Sequence, residues 1–424
     1  MIATLLSATP TLDTGNTAWM LVATILVLLM SIPGIALFYG GLVRQKNVLS
    51  VIMQTMLIVG VVSLLWVAIG YSWAFGTGFK ESGSPLWFFM GGIDKAFMHG
   101  VTTASLTPTG IPELTFAMFQ CMFALITPAL ILGAFAERIK FSGYMVFTIL
   151  WVVIAYFPMA HWVWGGGFMQ QMGAIDFAGG TVVHINAGIS ALVMCLMIGQ
   201  RDDYRKGHAI LPHNVTIVFM GTSFLWLGWF GFNAGSGLAA DGLAANAFLV
   251  THVAAAAAAV TWMAIDWLCN KKPTTVGACT GAVAGLVAIT PAAGSTDILG
   301  AFAIGIVTPV ICFIMVAVIK PYFRYDDALD AFGVHGMGGI VGSILTGVFA
   351  TRAVTGDGGA EGALYGDWHQ FGVQVVVTLT SIAFSAVVTY ILYVAVDKTI
   401  GMRVCRRVEE EGLDIYEHGE SAYN

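Results

Sequence analysis

The sequence predicts an all-α membrane protein with eleven transmembrane helices, built as an inverted repeat of five plus five helices with one extra helix. Three observations predict this fold class: the composition, the length of the apolar segments and a histidine motif that occurs twice. Of the 424 residues, 58% are hydrophobic and 10% are charged, whereas a soluble domain carries roughly a quarter charged residues. With a mean hydropathy of +0.83, a soluble globular protein is excluded.

Eleven apolar segments are long enough to cross a bilayer as helices. They cover approximately residues 18–38, 48–75, 114–136, 141–161, 180–199, 215–235, 243–268, 276–293, 298–319, 332–350 and 370–396. These runs are long and lack the two-residue alternation of an outer-membrane barrel. Helices are therefore predicted throughout.

The distribution of Lys and Arg orients the predicted helices. Fifteen of the eighteen basic residues fall in one set of loops, and only Lys80, Lys95 and Arg352 fall in the opposite set. Because basic loops stay in the cytoplasm, the N-terminus is predicted outside and the C-terminus inside. Residues 77–112 then form an irregular external cap, and residues 201–214 form a cytoplasmic loop.

The same composition bears on processing and partners. The first sixteen residues lack a basic segment, so cleavage of a signal peptide stays open. No predicted external loop contains a cysteine, and a disulfide framework is not expected. A net charge of -6 gives no reason to expect nucleic acid as a partner.

A seven-residue pattern, V-H-x-x-x-G-I, contains His184 in its first copy and His335 in its second. An aspartate precedes each histidine by eight residues, namely Asp176 and Asp327. If each helix begins at its aspartate, a residue type that caps helices, the histidine lies about 12 Å along the helix. Two such depths, entered from opposite sides, sum to about 24 Å of a core about 30 Å thick. The two histidines are therefore predicted to meet.

Antiparallel copies of one motif are typical of inverted-topology repeats, whose substrate path lies near the midplane. The transmembrane domain is predicted over residues 1–402, with repeats at approximately 17–200 and 214–352 and an additional span at 370–396. Residues 403–424 are charged and form a cytoplasmic C-terminal regulatory tail.

Ionisable side chains inside a bilayer are costly and mark substrate or proton paths. Two neutral imidazoles in contact would form a short hydrogen-bonded relay for a small polar molecule or a proton. A catalytic metal needs about three protein ligands, and no such cluster accompanies His184 or His335, so no metal or other cofactor is expected. The alternative, two core histidines bonded to backbone, is disfavoured by their repetition.

Aromatic residues suggest a site on the outer side. Trp164 either belongs to an interfacial aromatic belt or forms a wall that binds a cation. Phe119 and Phe123 share a helix face, which on its own is typical of packing. The glycine-rich end of the sixth span, which closes with Ser236, is equally compatible with a packed helix end.

Seven stretches carry a resemblance to a known family, at 32–42, 133–139, 164–167, 176–184, 228–236, 332–336 and 411–424. In these stretches, which are spread over nearly the whole length of the chain, the sequence resembles the ammonium transporter family of Amt, Mep and Rh proteins. The resemblance is closest to bacterial Amt transporters. The resemblance implies an ammonium recruitment site formed by Phe119, Phe123, Trp164 and Ser236. It also implies a gate formed by Phe123 and Phe232.

Further roles follow from the same resemblance. Asp176 would support the outer site and deprotonation, and His184, His335 and Trp229 would line the pore. His252 lies outside the matching motifs and is given a packing or pore-adjacent role. Cys121 and Met122 differ from some relatives but leave the Phe119/Phe123 spacing intact.

The implied protein is a transporter, not an enzyme, with multiple spans in the plasma (inner) membrane and a homotrimeric assembly. Its expected partners are ammonium or ammonia, the lipid bilayer and a PII-type signal protein at the cytoplasmic face. An ion entering an apolar tube would meet a large desolvation penalty, so ammonium is expected to lose its proton near the gate, with or without coupled proton transport. The alternatives are an ammonium sensor, an Rh-type gas channel and a membrane metalloenzyme.

Overall fold

The computed structural model describes residues 10–423, and ten of its helices are long and apolar enough to cross a membrane. Together with one shorter apolar helix they are numbered in chain order as follows: α1 (Thr14–Leu42), α2 (Gln45–Glu81), α3 (Glu113–Phe135), α4 (Phe141–Gln171), α5 (Gly180–Ile198), α6 (Val215–Gly235), α7 (Gly242–Asn270), α8 (Thr275–Ile289), α9 (Ile298–Phe323), α10 (Phe332–Phe349) and α11 (Trp368–Thr399). Over residues 10–423 the only β-type pairings are two isolated bridges.

The all-helical prediction is confirmed, and each predicted span coincides with one of these helices. The shorter helix, α8, has 15 residues and is about 22 Å long. The eleventh transmembrane helix therefore stays a prediction, as does the orientation of the termini. The question of N-terminal cleavage concerns a segment that lies largely outside the described residues.

Side-chain caps explain where many of the helices begin. Six helices start after a residue whose side-chain oxygen accepts a hydrogen bond from a backbone N–H in the first turn. These caps are Asp13, Asn214, Asp241, Thr274, Asp297 and Asp367. Each cap of this kind stabilises a helix by about 1 kcal/mol.

Helices α5 and α10 carry the two histidines and lie inside the bundle, with α11 packed against both. They cross at a direct backbone contact. A Cβ placed on Gly188 would lie 2.1 Å from the backbone nitrogen of Gly336, and one on Gly339 would lie 3.0 Å from the Cβ of His184. Gly188 and Gly339 each follow a motif histidine by four residues. The glycine of the repeated pattern therefore permits the crossing.

Buried ion pairs join the loops at the predicted cytoplasmic face. Arg201 contacts Glu137 at 2.9 Å and Asp326 at 2.8 Å, and Arg44 contacts Glu137 at 2.8 Å. Burial raises the pKa of Asp326, but Arg138 and Arg201 outweigh burial and hold that pKa at about 2. This ion-pair network connects loops from both predicted repeats.

The C-terminal tail folds back onto the same face. The backbone N–H of Leu413 donates to Asn47 Oδ1 at 2.9 Å, and the Asp414 carboxylate accepts from two backbone N–H groups at the start of α2. Glu417 accepts from the backbone N–H of Phe141 at 2.9 Å. The tail thus caps both α2 and α4.

Candidate pore and outer aromatic site

The two motif histidines meet, as the sequence predicts. The ring centroids of His184 and His335 are 5.5 Å apart with an interplanar angle of 14°. Both side chains are buried. Among the described residues, neither ring nitrogen of His184 has a protein hydrogen-bond partner, nor has Nδ1 of His335.

This geometry corrects one part of the prediction. A direct hydrogen bond between the imidazoles was expected, yet none is formed between these nearly parallel rings. Neither ring nitrogen of His184 has a partner on His335. The unbonded nitrogens also argue against two core histidines that are satisfied by backbone. They leave polar atoms for a small molecule beside the histidine pair, as we call His184 and His335.

Trp229 and Phe232 surround the first histidine. The indole of Trp229 stacks on His184 with centroids 5.4 Å apart, and its Nε1–H donates to Thr290 Oγ1 at 2.8 Å. Phe232 lies 6.0 Å from the His184 ring. The hydrogen bond fixes the indole plane against the histidine.

Phe123 and Phe232 form a phenyl stack next to the histidine pair. Their centroids are 4.3 Å apart and their planes differ by 30°. Both rings are almost fully buried. The structure therefore brings together the two residues to which the resemblance assigns a gate.

A cavity of about 170 Å³, here called the outer cavity, lies against the phenyl stack. It is lined by Phe75, Phe116, Gln120, Phe123, Trp164, Gln170, Phe177, Ser236 and Leu238. Phe123 and Trp164 meet edge to face at 5.7 Å. The hydroxyl of Ser236 donates to the backbone oxygen of Phe232 at 2.8 Å, which leaves its oxygen lone pairs to accept a hydrogen bond.

The four residues matched to a recruitment site do not all reach this cavity. Phe123, Trp164 and Ser236 line it, but Phe119 packs behind Phe123 at 5.0 Å and is buried. A four-residue spacing places two rings on one helix face but does not say which ring faces a cavity. The glutamines of the lining carry no distinctive sequence signal and were not predicted.

Both motif aspartates cap a helix, but neither helix begins at its aspartate as the sequence predicts. Helix α5 begins at Gly180 and α10 at Phe332, so each histidine lies within the first five residues of its helix and not eight residues along it. The Asp176 carboxylate accepts four backbone N–H bonds of 2.6 to 3.1 Å from residues 179–182. The Asp327 carboxylate accepts from the N–H groups of Ala331 and Phe332. In addition, the backbone oxygen of Asp176 accepts the indole N–H of Trp164 at 2.8 Å. Asp176 therefore fixes both the start of α5 and the wall of the outer cavity.

A second cavity, here called the inner cavity, reaches His335 from the other side. It has a volume of about 400 Å³, and its polar lining includes Arg201, Tyr204, Lys320, Asp330 and His335. The bundle thus contains, in order, the outer cavity, the phenyl stack, the histidine pair and the inner cavity. His252 takes no part, because it lies exposed on α7 beside Trp226.

Comparisons with known proteins identify the family. The Ammonium Transporter Family model matches residues 18–423. An ammonium transporter of Aquifex aeolicus is 49% identical over 97% of this chain and 94% of its own length, and one of Bacillus subtilis is 45% identical over 96% and 98%. The crystal structure of Saccharomyces cerevisiae Mep2 has a TM-score of 0.86 at 38% identity, covering 93% of this chain and 88% of that one. The chain belongs to the ammonium transporter family.

Proposed function

We propose that this chain transports ammonium across the plasma (inner) membrane by taking up ammonium ions at the outer cavity and passing ammonia along the histidine pair. The observation that carries the proposal is the histidine pair itself. Three of its four ring nitrogens are buried and have no protein partner among residues 10–423, and it lies between two cavities.

The outer cavity suits a small cation that donates hydrogen bonds. Amines are mostly protonated at neutral pH, so an ammonium ion is the species to be recruited. Indole and phenyl faces attract cations by about 0.5–2 kcal/mol, more where water is excluded. Trp164 and Phe123 supply these faces, and Ser236 supplies an acceptor that a potassium ion could not use as a hydrogen-bond partner.

The phenyl stack favours passage of a neutral species. Moving an isolated ion into an apolar environment costs far more than moving a neutral amine. In the proposed mechanism, ammonium gives its proton to a water molecule in the outer cavity, on the outer side of Phe123 and Phe232 and near Asp176. Because the Asp176 carboxylate already accepts four backbone bonds, we assign it the support of this site. Ammonia then hydrogen-bonds in turn to His184 and His335.

Ammonium uptake into proteoliposomes tests the proposal. We expect uptake well above that of empty liposomes and no comparable potassium flux. Binding without uptake would favour a sensor, since a chain described as "Sensor Amt Protein" shares this fold with a TM-score of 0.86 at 30% identity.

The fate of the proton is tested by an ammonium jump on solid-supported membranes. A reproducible current would exclude purely neutral passage. An active protein that gives no current would exclude net transport of ammonium charge.

We further propose a homotrimer, with the tail and inner loops forming the docking face for a PII-type signal protein. The capping contacts of Asp414 and Glu417 support this role, because a partner that displaces them would uncap α2 and α4. Pull-down of a PII protein by the full chain, compared with an Asp414→Asn variant, tests it. Equal binding by both would move the site away from the tail.

A further inference from the structure

His161 is a buried polar residue that the proposed pore does not use. It lies on α4, three residues before Trp164, and its side chain is fully buried. Both of its ring nitrogens face backbone carbonyl oxygens. Nδ1 lies 2.9 Å from the oxygen of Ala74, and Nε2 lies 2.6 Å from the oxygen of Trp87.

Burial on its own favours a neutral ring, but two carbonyl contacts of this length can both be hydrogen bonds only when the ring is charged. A carbonyl oxygen only accepts hydrogen bonds, and a neutral imidazole donates from one nitrogen alone. The other nitrogen would point its lone pair at an oxygen lone pair within hydrogen-bond distance. An imidazolium donates from both nitrogens and satisfies both contacts.

The charged side chains on the elements packed around His161 are engaged elsewhere. In the outer loop, Lys80 lies over the ring of Trp87, and Asp94 accepts the backbone N–H groups of Thr77 and Gly78. Glu113, at the start of α3, accepts from Tyr71 of α2 and pairs with Lys95. No ion pair among residues 10–423 includes His161. The two carbonyl oxygens are therefore its polar partners.

The glycines that follow Trp164 fit closely around this contact. A Cβ on Gly165 would lie 1.9 Å from the oxygen of Ala74, and one on Gly166 would lie 2.4 Å from the ring of Trp87. The backbone N–H groups of Gly165 and Gly167 both donate to the oxygen of His161 at 3.0 Å. The break in α4 after Trp164 is thus built around the histidine.

Three residues of the outer cavity depend on these same segments. Phe75 directly follows Ala74, Trp164 closes the helical turn that begins at His161, and Gln170 accepts the backbone N–H of Gly166 at 2.7 Å. All three line the outer cavity. Movement at His161 would therefore displace the aromatic wall.

We propose that His161 is a positioning residue of the outer ammonium site, which as an imidazolium clamps the carbonyls of Ala74 and Trp87 and so holds Phe75 and Trp164 in place. This inference rests on the proposed function. It predicts that raising the pH until the imidazolium loses its proton breaks one of the two bonds and loosens the site.

The first experiment is independent of transport. Solid-state NMR of the full protein with 15N-labelled histidine, compared with a His161→Phe variant, reports the state of both ring nitrogens. The signals present in the wild type and absent from the variant belong to His161, and we expect them to show a proton on both ring nitrogens. If they showed one protonated and one unprotonated nitrogen, the imidazolium clamp would be overturned, whether or not the protein transports ammonium.

The second experiment measures ammonium uptake between pH 6 and 8 for the wild type, His161→Gln and a His252→Gln control. We expect His161→Gln to raise KM about tenfold with little change in maximal rate, since the route beyond the phenyl stack is intact. Its KM should also lose the rise with pH that the wild type shows. The inference would be overturned if His161→Gln had the same KM and the same pH profile as the wild type. It would also be overturned if the KM of the wild type did not rise with pH. Absence of uptake in the wild type would instead refute the proposed function.

Discussion

Gly188 and Gly339 decide whether the two histidines can meet. Each follows a motif histidine by four residues, and each faces the opposite helix where α5 and α10 cross. Small residues at such positions let helix backbones approach closely inside a membrane. The close approach in turn places the imidazole rings 5.5 Å apart.

Gly188→Ala should therefore separate α5 from α10. The added Cβ would lie 2.1 Å from a backbone nitrogen, which no side-chain rotation relieves, and overpacking of this kind costs about 1–3 kcal/mol. We expect a lower unfolding temperature in detergent and slower ammonium uptake. Gly372→Ala is the matched control, because it is also helical and its Cβ would meet no atom within 4 Å. Equal stability of the two variants would contradict the crossing as described.

At the scale of elements, α5 and α10 are related helices that begin in the same way. Each starts with a turn of π-helical hydrogen bonding that contains its histidine. Each is capped by the aspartate that lies eight residues before that histidine. Such widened turns occur frequently at functional sites. Each histidine thus lies within the first five residues of its helix.

Asp176→Asn and Asp327→Asn test the caps. An amide offers one acceptor oxygen where the carboxylate offers two, so each variant leaves backbone N–H groups unpaired at a cost of about 1–3 kcal/mol. We expect both to lower the unfolding temperature. A loss of uptake in Asp176→Asn that greatly exceeds that in Asp327→Asn would assign Asp176 a direct part in deprotonation. Unchanged unfolding temperatures would contradict the capping role.

Across the whole molecule, the ion-pair network at the predicted cytoplasmic face connects the two predicted repeats. Arg138, Arg201 and Asp326 are almost fully buried, so the network is little screened by solvent. The pKa of Asp326 is held at about 2, below its ordinary value of about 3.9. Its stabilising contribution is therefore complete above about pH 4 and is lost as the pH falls towards 2.

Asp326→Asn should destabilise the protein at neutral pH by about 3–5 kcal/mol, because it removes the carboxylate that faces the buried Arg138 and Arg201. Thermal unfolding from pH 7 to pH 3 measures this. The wild type should lose stability at the acid end, and the variant should lose less over the same range. The exposed pair of Arg406 and Glu410 provides a control, since Glu410→Gln should leave the unfolding temperature unchanged. If Asp326→Asn lost as much stability as the wild type between pH 7 and pH 3, the role of Asp326 would be contradicted.

Much of this architecture could be predicted from the sequence. The lengths of the apolar segments predicted the helices. The repeated histidine and the aspartate before it predicted that His184 and His335 meet and that both aspartates cap a helix. Features that depend on distant backbone could not be predicted. The relative orientation of the two imidazoles depends on the crossing geometry of α5 and α10, and the contacts of His161 depend on two carbonyls that no local pattern brings together.

Replacing both motif histidines tests most directly whether ammonia passes along the histidine pair. His184→Leu/His335→Leu removes the polar atoms of the histidine pair while keeping the route apolar. Ammonium and potassium uptake into proteoliposomes is compared with that of the wild type and His252→Leu, after thermal unfolding has verified that each variant is folded. Selective ammonium uptake should disappear only in the double variant. Unchanged discrimination of ammonium over potassium in that variant would contradict passage along the histidine pair.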